Sequence, residues 1–215
     1  RCTLGHMEES LVEPGYFGDS SDNILVLYDF VDPVDLKLIQ TFLPKIDKWD
    51  NPRETEYNED GECIYDASYW WDRMCSAPIL EEINLEIFHL VDKYITKMQM
   101  AIEDKFNLQV HKRPPVLVRW LPGNEQSPHA DKQLNDGSPN PFPTYDINSI
   151  IYWNEDFEGG DFYYPDHGMV LPIEEGMAVA HPGDIHYLHG VRPVTDGTRW
   201  TTPSFYTITQ LGGEE

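Results

Sequence analysis

The feature of this sequence that most constrains its fold is a change in residue pattern at Pro115. From that point to the end, short runs rich in β-branched and aromatic residues alternate with turns that contain Gly or Pro. The runs cover residues 116–121, 148–153, 162–164, 169–172, 177–181, 190–194 and 200–208. Many short strands with regular turn signals are typical of a sandwich, a barrel or a jelly roll. The second half of the chain is therefore predicted to be an antiparallel β structure.

The first half has a helical pattern instead. A strand over residues 24–30 is followed by Asp32 and Pro33, which suit the N-cap and the first position of a helix. Residues 79–106 carry apolar side chains at three- and four-residue steps, which predicts one long amphipathic helix. Helices that precede antiparallel strands indicate an α+β fold, in which the N-terminal helices support the β structure.

The length of 215 residues suits one domain, which we place at residues 8–215. Residues 8–114 would form a helical and irregular support, and residues 115–210 the jelly-roll core. The first seven residues, which include Gly5, His6 and Met7, look like a remnant of cloning.

The balance of charge argues against polyanionic partners. The net charge is −23, so nucleic acids and anionic membranes would be repelled on average. No run of 18 apolar residues is present that would predict a transmembrane helix. The three cysteines have neither metal-ligand spacing nor the pattern of a disulfide framework, which favours a reducing compartment such as the cytoplasm.

The second half also contains a candidate metal motif, His129–Ala130–Asp131. In an extended segment, residues i and i+2 point to the same side, so the imidazole and the carboxylate face one point. A second imidazole would complete the two-histidine, one-carboxylate set of non-haem Fe(II) oxygenases. The candidates are His181, His186 and His189, and the residues after His189 favour that one, because Arg199 follows ten positions later. A strand, a turn and a return strand would bring this guanidinium near the metal, where its fork suits a carboxylate.

At these motifs the chain resembles the prolyl 4-hydroxylase-like Fe(II)/2-oxoglutarate oxygenases. The resemblance runs from about residue 119 to residue 206 and rests on His129–Ala130–Asp131, Glu158–Gly159–Gly160–Asp161, His189–Gly190–Val191 and Gly197–Thr198–Arg199. It implies a double-stranded β-helix that uses Fe(II), 2-oxoglutarate and O2, with ascorbate as a further cofactor. It also implies hydroxylation coupled to the release of succinate and CO2. Iron would be held by His129, Asp131 and His189, and 2-oxoglutarate by Arg199, with no separate acid or base assigned.

The resemblance is incomplete around the cosubstrate. Trp120 and Gln126 stand where many members of the family have tyrosine, and Arg199 stands where collagen-type enzymes have lysine. Trp120 and Thr201 are therefore predicted to form part of the cosubstrate pocket. Strand alternation suggests further lining residues, namely Ser149, Ile151, Val191 and Phe205.

The substrate is less constrained than the chemistry. By resemblance, we expect a proline in a peptide or protein, held in a cleft between residues 54–71 and 132–144. Tyr69, Trp70 and Trp71 could contribute to this cleft, or could be core residues that anchor the acidic, irregular segment 44–78. The alternatives are a hydroxylase of a free amino acid or small molecule, and a catalytically silent jelly-roll binding module. An oxygenase acting on nucleic-acid bases is disfavoured by the acidic charge.

Overall fold

The computed structural model describes residues 9–51 and 53–213, in which helices come early and antiparallel strands dominate later. The helices are α1 (Pro33–Phe42), α2 (Ala77–Ile83) and α3 (Leu85–Phe106). The strands before residue 115 are β1 (Leu25–Leu27), β2 (Glu56–Tyr57), β3 (Cys63–Tyr65), β4 (Met74–Cys75) and β5 (Leu108–His111). The later strands are β6 (Leu117–Trp120), β7 (Gln126–His129), β8 (Ile147–Tyr152), β9 (Glu158–Gly159), β10 (Phe162–Tyr164), β11 (Met169–Leu171), β12 (Ala178–Pro182), β13 (His189–Val191), β14 (Val194–Asp196) and β15 (Arg199–Leu211). The suspected cloning remnant at residues 1–7 lies outside the described residues.

Two large antiparallel sheets and the two-stranded pairs β9–β14 and β2–β3 form the β structure of the described residues. The larger has seven strands in the order β1-β12-β8-β15-β6-β4, with β5 paired to the far end of β15. The smaller has the order β11-β10-β13-β7, in which β13 is the central partner of β7 and β10. Neighbours in these sheets are far apart in sequence, so residues from distant segments meet along their strands.

The helices pack on one face of the larger sheet. One apolar cluster joins side chains of α1, α2 and α3 to alternate residues of β8 and β15. Tyr206 of β15 also donates a hydrogen bond to the carbonyl of Ile95 in α3 at 3.0 Å. A second cluster, which includes Trp120, Tyr152, Phe162 and Val191, fills the other side of the sheet. The larger sheet is therefore covered on both faces.

The long helix predicted over residues 79–106 is two helices in the structure. The break is at Asn84, whose backbone is extended and whose side chain accepts a hydrogen bond from the Ile87 N–H at 3.0 Å. Asparagine is a preferred N-cap because it satisfies an amide that the helix leaves unpaired. The apolar period continues across the break, so periodicity alone gave the wrong boundary. No helix in the part of the chain described here is long and apolar enough to cross a bilayer.

The segment over residues 44–78, which the sequence pattern predicts to be irregular, contains several short regular elements. It contains the β2–β3 hairpin, a 3-10 helix at Ala67–Trp70 and strand β4, which pairs with β6 at the edge of the larger sheet. The strand predicted over residues 24–30 is shorter, since only Leu25–Leu27 pairs, with β12. These short elements place residues 64–74 beside the interior of the β structure.

Candidate metal centre and arginine pocket

Three side chains converge where β7 and β13 pair in the smaller sheet. His129 ends β7 and His189 begins β13, and the two residues are direct partners in the antiparallel register. Asp131 follows β7 by two residues. One ligand atom from each of the three lies within 4.8 Å of the others, and no other such group occurs among residues 9–51 and 53–213. The structure thus brings together the three predicted metal ligands.

Each histidine is oriented by its own backbone. The Nδ1 atom of His129 lies 2.9 Å from the Ser127 carbonyl, and that of His189 lies 2.9 Å from the Tyr187 carbonyl. A carbonyl can only accept, so each Nδ1 carries a proton, and in the neutral ring each Nε2 keeps a free lone pair. The Nε2 atoms face Asp131 Oδ1 at 3.9 Å and 3.3 Å, respectively. Two nitrogens and one oxygen therefore point at a common centre.

The second carboxylate oxygen of Asp131 is held from behind. Asp131 Oδ2 accepts from Asn148 Nδ2 at 2.8 Å and from His181 Nε2 at 3.0 Å. The other ring nitrogen of His181 lies 2.6 Å from the Tyr164 hydroxyl. His181 is therefore a contact of the carboxylate and not a member of the group. His186, the third candidate in the sequence, is exposed and also lies outside it.

The electrostatics of this group follow from burial and close packing. Burial, reinforced by His189, lowers the pKa of His129 and of His181 to about 4 in each case. Burial favours the neutral form of Asp131, yet His189 and His181 outweigh it and hold the pKa of Asp131 well below its usual range. Burial also disfavours charge on His189, but Asp131 raises the pKa of His189 above its ordinary value. The Asp131 carboxylate therefore favours the protonated form of His189, whereas burial favours the neutral forms of His129 and His181.

Arg199 lies in the larger sheet, on the opposite wall of the same interior. It begins β15, pairs in register with Trp120 of β6, and is almost fully buried. Its Nε donates to the Gly160 carbonyl at 3.0 Å, and its Cζ lies 4.9 Å from the Trp120 ring centroid. A Cβ at Gly160 would approach the Arg199 side chain to 2.9 Å, so the glycine allows the backbone this close approach. Burial lowers the pKa of Arg199, opposed by the nearby Tyr152.

Part of the arginine pocket has no partner within the protein. Arg199 Nη2 and the Tyr152 hydroxyl are both buried without a hydrogen-bond partner of normal geometry, although the two side chains are neighbours, with Arg199 Cζ 5.1 Å from the Tyr152 ring centroid. No carboxylate of the described residues lies within 4.0 Å of the Arg199 guanidinium. Buried polar groups are nearly always satisfied, so free donors at this place indicate a site for a ligand.

A single cavity of about 690 Å³ joins the metal group to the arginine pocket. Its walls include Trp120 and Thr201 near Arg199, and Tyr69 and Trp70 at one side. Trp71 does not line it, because the ring points outward and is 63% exposed. A separate depression of about 910 Å³ between α1 and the α2–α3 pair contains none of these groups. The smaller, central cavity is therefore the candidate functional site, because the metal group and Arg199 both line it.

Several solved structures of known proteins resemble this fold. No family model matches the chain, and no curated protein matches its sequence. Among solved structures, a viral collagen prolyl hydroxylase from Paramecium Bursaria Chlorella virus-1, in complex with 2-oxoglutarate, matches with a TM-score of 0.57 and 13% identity over 91% of this chain and 99% of that one. A Trichoplax adhaerens prolyl hydroxylase, in complex with a hypoxia inducible factor peptide fragment, gives 0.58 and 12% over 87% and 84%. A Pseudomonas putida prolyl-4-hydroxylase gives 0.54 and 15% over 86% and 92%.

The fold is that of the prolyl 4-hydroxylase-like 2-oxoglutarate/Fe(II) oxygenases. The resemblance seen in the motifs is thus matched in three dimensions over most of the chain.

The residues present fit the iron and the cosubstrate of these oxygenases. Two neutral imidazoles and one carboxylate are the donor set of non-haem Fe(II) sites that leave further positions open. The unpartnered Arg199 Nη2 and Tyr152 hydroxyl are donors for one carboxylate of a dicarboxylic acid. The metal group and the arginine share one cavity, as a ligand that spans them requires.

The sequence pattern did not point to Asn148 or Tyr152, and it offered His181 only as an alternative metal ligand. Asn148, Ser149 and Ile150 of β8 line the cavity, and Tyr152 belongs to the apolar cluster on that side of the sheet, while Ile151 belongs to the cluster facing the helices. The expectation that Ile151 lines the pocket was therefore wrong. A shift of one residue in the assumed parity moves every side chain to the other face of a strand. Both faces of β8 are buried and each mixes apolar with polar residues, so the pattern held no signal for choosing between them.

Proposed function

We propose that this chain is an Fe(II)- and 2-oxoglutarate-dependent dioxygenase that hydroxylates proline in a peptide or protein. The observation that carries the proposal is the shared cavity, in which His129, Asp131 and His189 stand opposite an unpaired Arg199. In this proposal the two sheets are the halves of a double-stranded β-helix, and the N-terminal helices support the larger one.

The role of each residue follows from its contacts. His129 and His189 would bind iron through Nε2, and Asp131 through Oδ1, because their other polar atoms are already hydrogen-bonded. Arg199 and the Tyr152 hydroxyl would bind the distal carboxylate of 2-oxoglutarate, with Trp120 and Thr201 as pocket walls. When bound, iron with 2-oxoglutarate and O2 supplies the oxidising chemistry. The protein orients both ligands and the substrate C–H bond, and excludes bulk water.

A peptide substrate is supported by the aromatic walls of the cavity. Tyr69 and Trp70 pack edge to face on one side, and Phe142, Tyr145 and Phe205 form a continuous stack on the other. Aromatic grooves bind extended, proline-rich segments, whose preformed conformation loses little entropy on binding. The matching Trichoplax adhaerens enzyme is in complex with a peptide fragment, which supports the same class of ligand for this fold.

The decisive experiment measures two quantities in one reaction. The protein is incubated with Fe(II), 2-oxoglutarate and a proline-containing peptide library, with and without ascorbate, and succinate and peptide mass are recorded. We expect succinate to form together with a +16 Da product that tandem mass spectrometry places on proline. Succinate without a modified peptide, but with a hydroxylated free amino acid, would favour the small-molecule alternative. No succinate, and no binding of 2-oxoglutarate, would leave a silent binding module.

A further inference from the structure

A second buried arginine lies beside the pocket of Arg199. Arg73 is 4% exposed and lies between the 3-10 helix Ala67–Trp70 and strand β4. Its Nε donates to the Arg119 carbonyl at 3.2 Å and its Nη1 to the Tyr69 carbonyl at 3.0 Å. Its Nη2 is buried without a hydrogen-bond partner, as is Nη2 of Arg199.

The two guanidinium groups share one aromatic side chain. The Cζ atom of Arg73 lies 4.4 Å from the Trp120 ring centroid, and that of Arg199 lies 4.9 Å from it. Arg73 also lies 4.8 Å from the Tyr69 ring and 4.7 Å from the Trp70 ring. Arg73 is thus enclosed by three rings that line the cavity, but does not line it itself. Arg73 therefore lies behind the aromatic side chains that line the cavity, and Trp120 contacts the guanidinium groups of both Arg73 and Arg199.

This arrangement concentrates uncompensated positive charge. No carboxylate of the described residues lies within 4.0 Å of Arg73 or of Arg199. Burial lowers the pKa of each guanidinium, and the charge of Arg73 further lowers the pKa of Arg199. Aromatic faces attract both cations, yet they do not neutralise them. Buried charges are normally paired, so two cations around one indole call for an anionic ligand.

We propose that Arg73 is a second cation of the cosubstrate pocket, which strengthens the binding of a dicarboxylate through its charge while Arg199 makes the direct contact. Arg73 is a positioning residue, since it acts across Trp120 and does not touch the ligand. The proposal rests on the proposed function for the identity of the dicarboxylate as 2-oxoglutarate. It also gives a reason for tryptophan at position 120, where the resemblance expects tyrosine. The indole contacts both guanidinium groups.

The test measures, by calorimetry and without O2, the Kd of 2-oxoglutarate for the Mn(II)-loaded protein. Arg73→Gln removes the charge but keeps one amide group that can donate a hydrogen bond, and Arg73→Lys keeps the charge. We expect Arg73→Gln to raise the Kd for 2-oxoglutarate about tenfold, since a buried charge acting across one indole ring at an effective dielectric constant of about 20 contributes about 1.4 kcal/mol. Arg73→Lys should stay within about threefold of wild type. The Kd for Mn(II) should not change in either variant.

Arg119→Met is the matched control. Arg119 is the neighbouring arginine of β6, stacks 3.8 Å from the Trp49 ring centroid and donates to the Asp72 carbonyl at 2.8 Å. It is absent from the cavity lining, and its removal should leave the Kd for 2-oxoglutarate within about twofold.

The possible outcomes test the charge role of Arg73 and the proposed function separately. An unchanged Kd in Arg73→Gln, or equal weakening in the Gln and Lys variants, would overturn the charge role of Arg73. If Arg73→Gln does not fold, a large loss of affinity in a folded Arg73→Lys variant would overturn it as well, and retained affinity would support it. Failure of the wild type to bind 2-oxoglutarate at all would instead refute the proposed function.

Discussion

The two ends of the central cavity are built on opposite principles. At the metal end, every polar atom of the three ligands that does not face the centre is already hydrogen-bonded: Nδ1 of His129, Nδ1 of His189 and Oδ2 of Asp131. At the arginine end, buried donors are left free, namely Arg199 Nη2 and the Tyr152 hydroxyl. One end is saturated by the protein, and the other is incomplete without a ligand.

The contrast reflects what each ligand needs. A metal ion takes one atom from each side chain and gains from having that atom held in place, so the remaining atoms serve best as anchors. A carboxylate brings acceptors and needs donors that have no other partner. A buried unsatisfied group costs about 1–3 kcal/mol, which the folded protein bears until an anion binds. The free donors are therefore a feature of binding and not of stability.

The largest expected effect comes from removing a ligand at the saturated end. Substituting His129, Asp131 or His189 by Ala should abolish Mn(II) binding and reduce turnover on the order of a thousandfold or more, since the metal's contribution of several kcal/mol is lost. Succinate formation and metal titration measure both quantities. His186→Ala, an exposed histidine nearby, is the control and should retain wild-type values. Loss of metal in His186→Ala with retention in His189→Ala would reverse the assignment.

At the incomplete end, Arg199→Ala should weaken 2-oxoglutarate binding far more than metal binding. Losing one partner of a buried charge pair costs about 2–5 kcal/mol, or roughly a 30- to 4,000-fold rise in Kd. Arg199→Lys should retain part of the affinity because the charge remains while the fork is lost. Calorimetry with 2-oxoglutarate and separately with Mn(II) distinguishes the two ends. Equal losses for both ligands would show that the ends are not separate.

An intermediate effect is expected from the anchor behind Asp131. His181→Gln should weaken Mn(II) binding about 10- to 100-fold, as loss of an outer hydrogen bond to a metal ligand usually does. The Kd for 2-oxoglutarate, measured at saturating metal, should change little. A His181→Gln variant with unchanged metal affinity would mean that Asn148 alone is enough to hold Asp131 Oδ2.

The saturated end should also respond to pH in a defined direction. Asp131 raises the pKa of His189, so metal must displace a proton from that imidazole when the pH is below this raised value. Metal affinity should therefore fall with decreasing pH, approaching about tenfold per pH unit for one displaced proton. Mn(II) titrations across a pH series measure the slope. Arg199→Ala should show the same slope, and a flat profile in both proteins would contradict the proton on His189.

The smallest effect concerns the cavity wall between the two ends. Trp70 lines the cavity and packs edge to face on Trp120 with centroids 5.8 Å apart, whereas Trp71 is turned to solvent. Trp70→Ala should raise the KM for a peptide substrate several-fold, in line with about 1 kcal/mol or more for a lost aromatic contact. Trp71→Ala should leave KM and kcat within about twofold. A larger effect in Trp71→Ala would mean that substrate extends outside the cavity over the exposed ring.

What the sequence determined by itself is local. Alternation in an extended segment predicted that His129 and Asp131 face one point, and both belong to the metal group. The return strand predicted to carry Arg199 is wrong in its pairing, because β15 pairs with β6 and β8 of the larger sheet and not with β13 or β14. The class of fold followed from short strands with regular turns, because turn chemistry and side-chain period act within a few residues. The break at Asn84 was not predicted, because the apolar period continues across it.

Only the tertiary structure decided the contacts between distant segments. Asp131 Oδ2 is held by Asn148 and His181, which are 17 and 50 positions away. The enclosure of Arg73 depends on β4 lying at the edge of the sheet beside β6, which brings the guanidinium onto Trp120. Which face of β8 points toward the cavity depends on the helices packed on one side of the sheet and the smaller sheet on the other, since both faces of the strand are buried. These choices rest on pairing and burial across the whole fold, where the energy of each contact depends on neighbours that no short stretch of sequence contains.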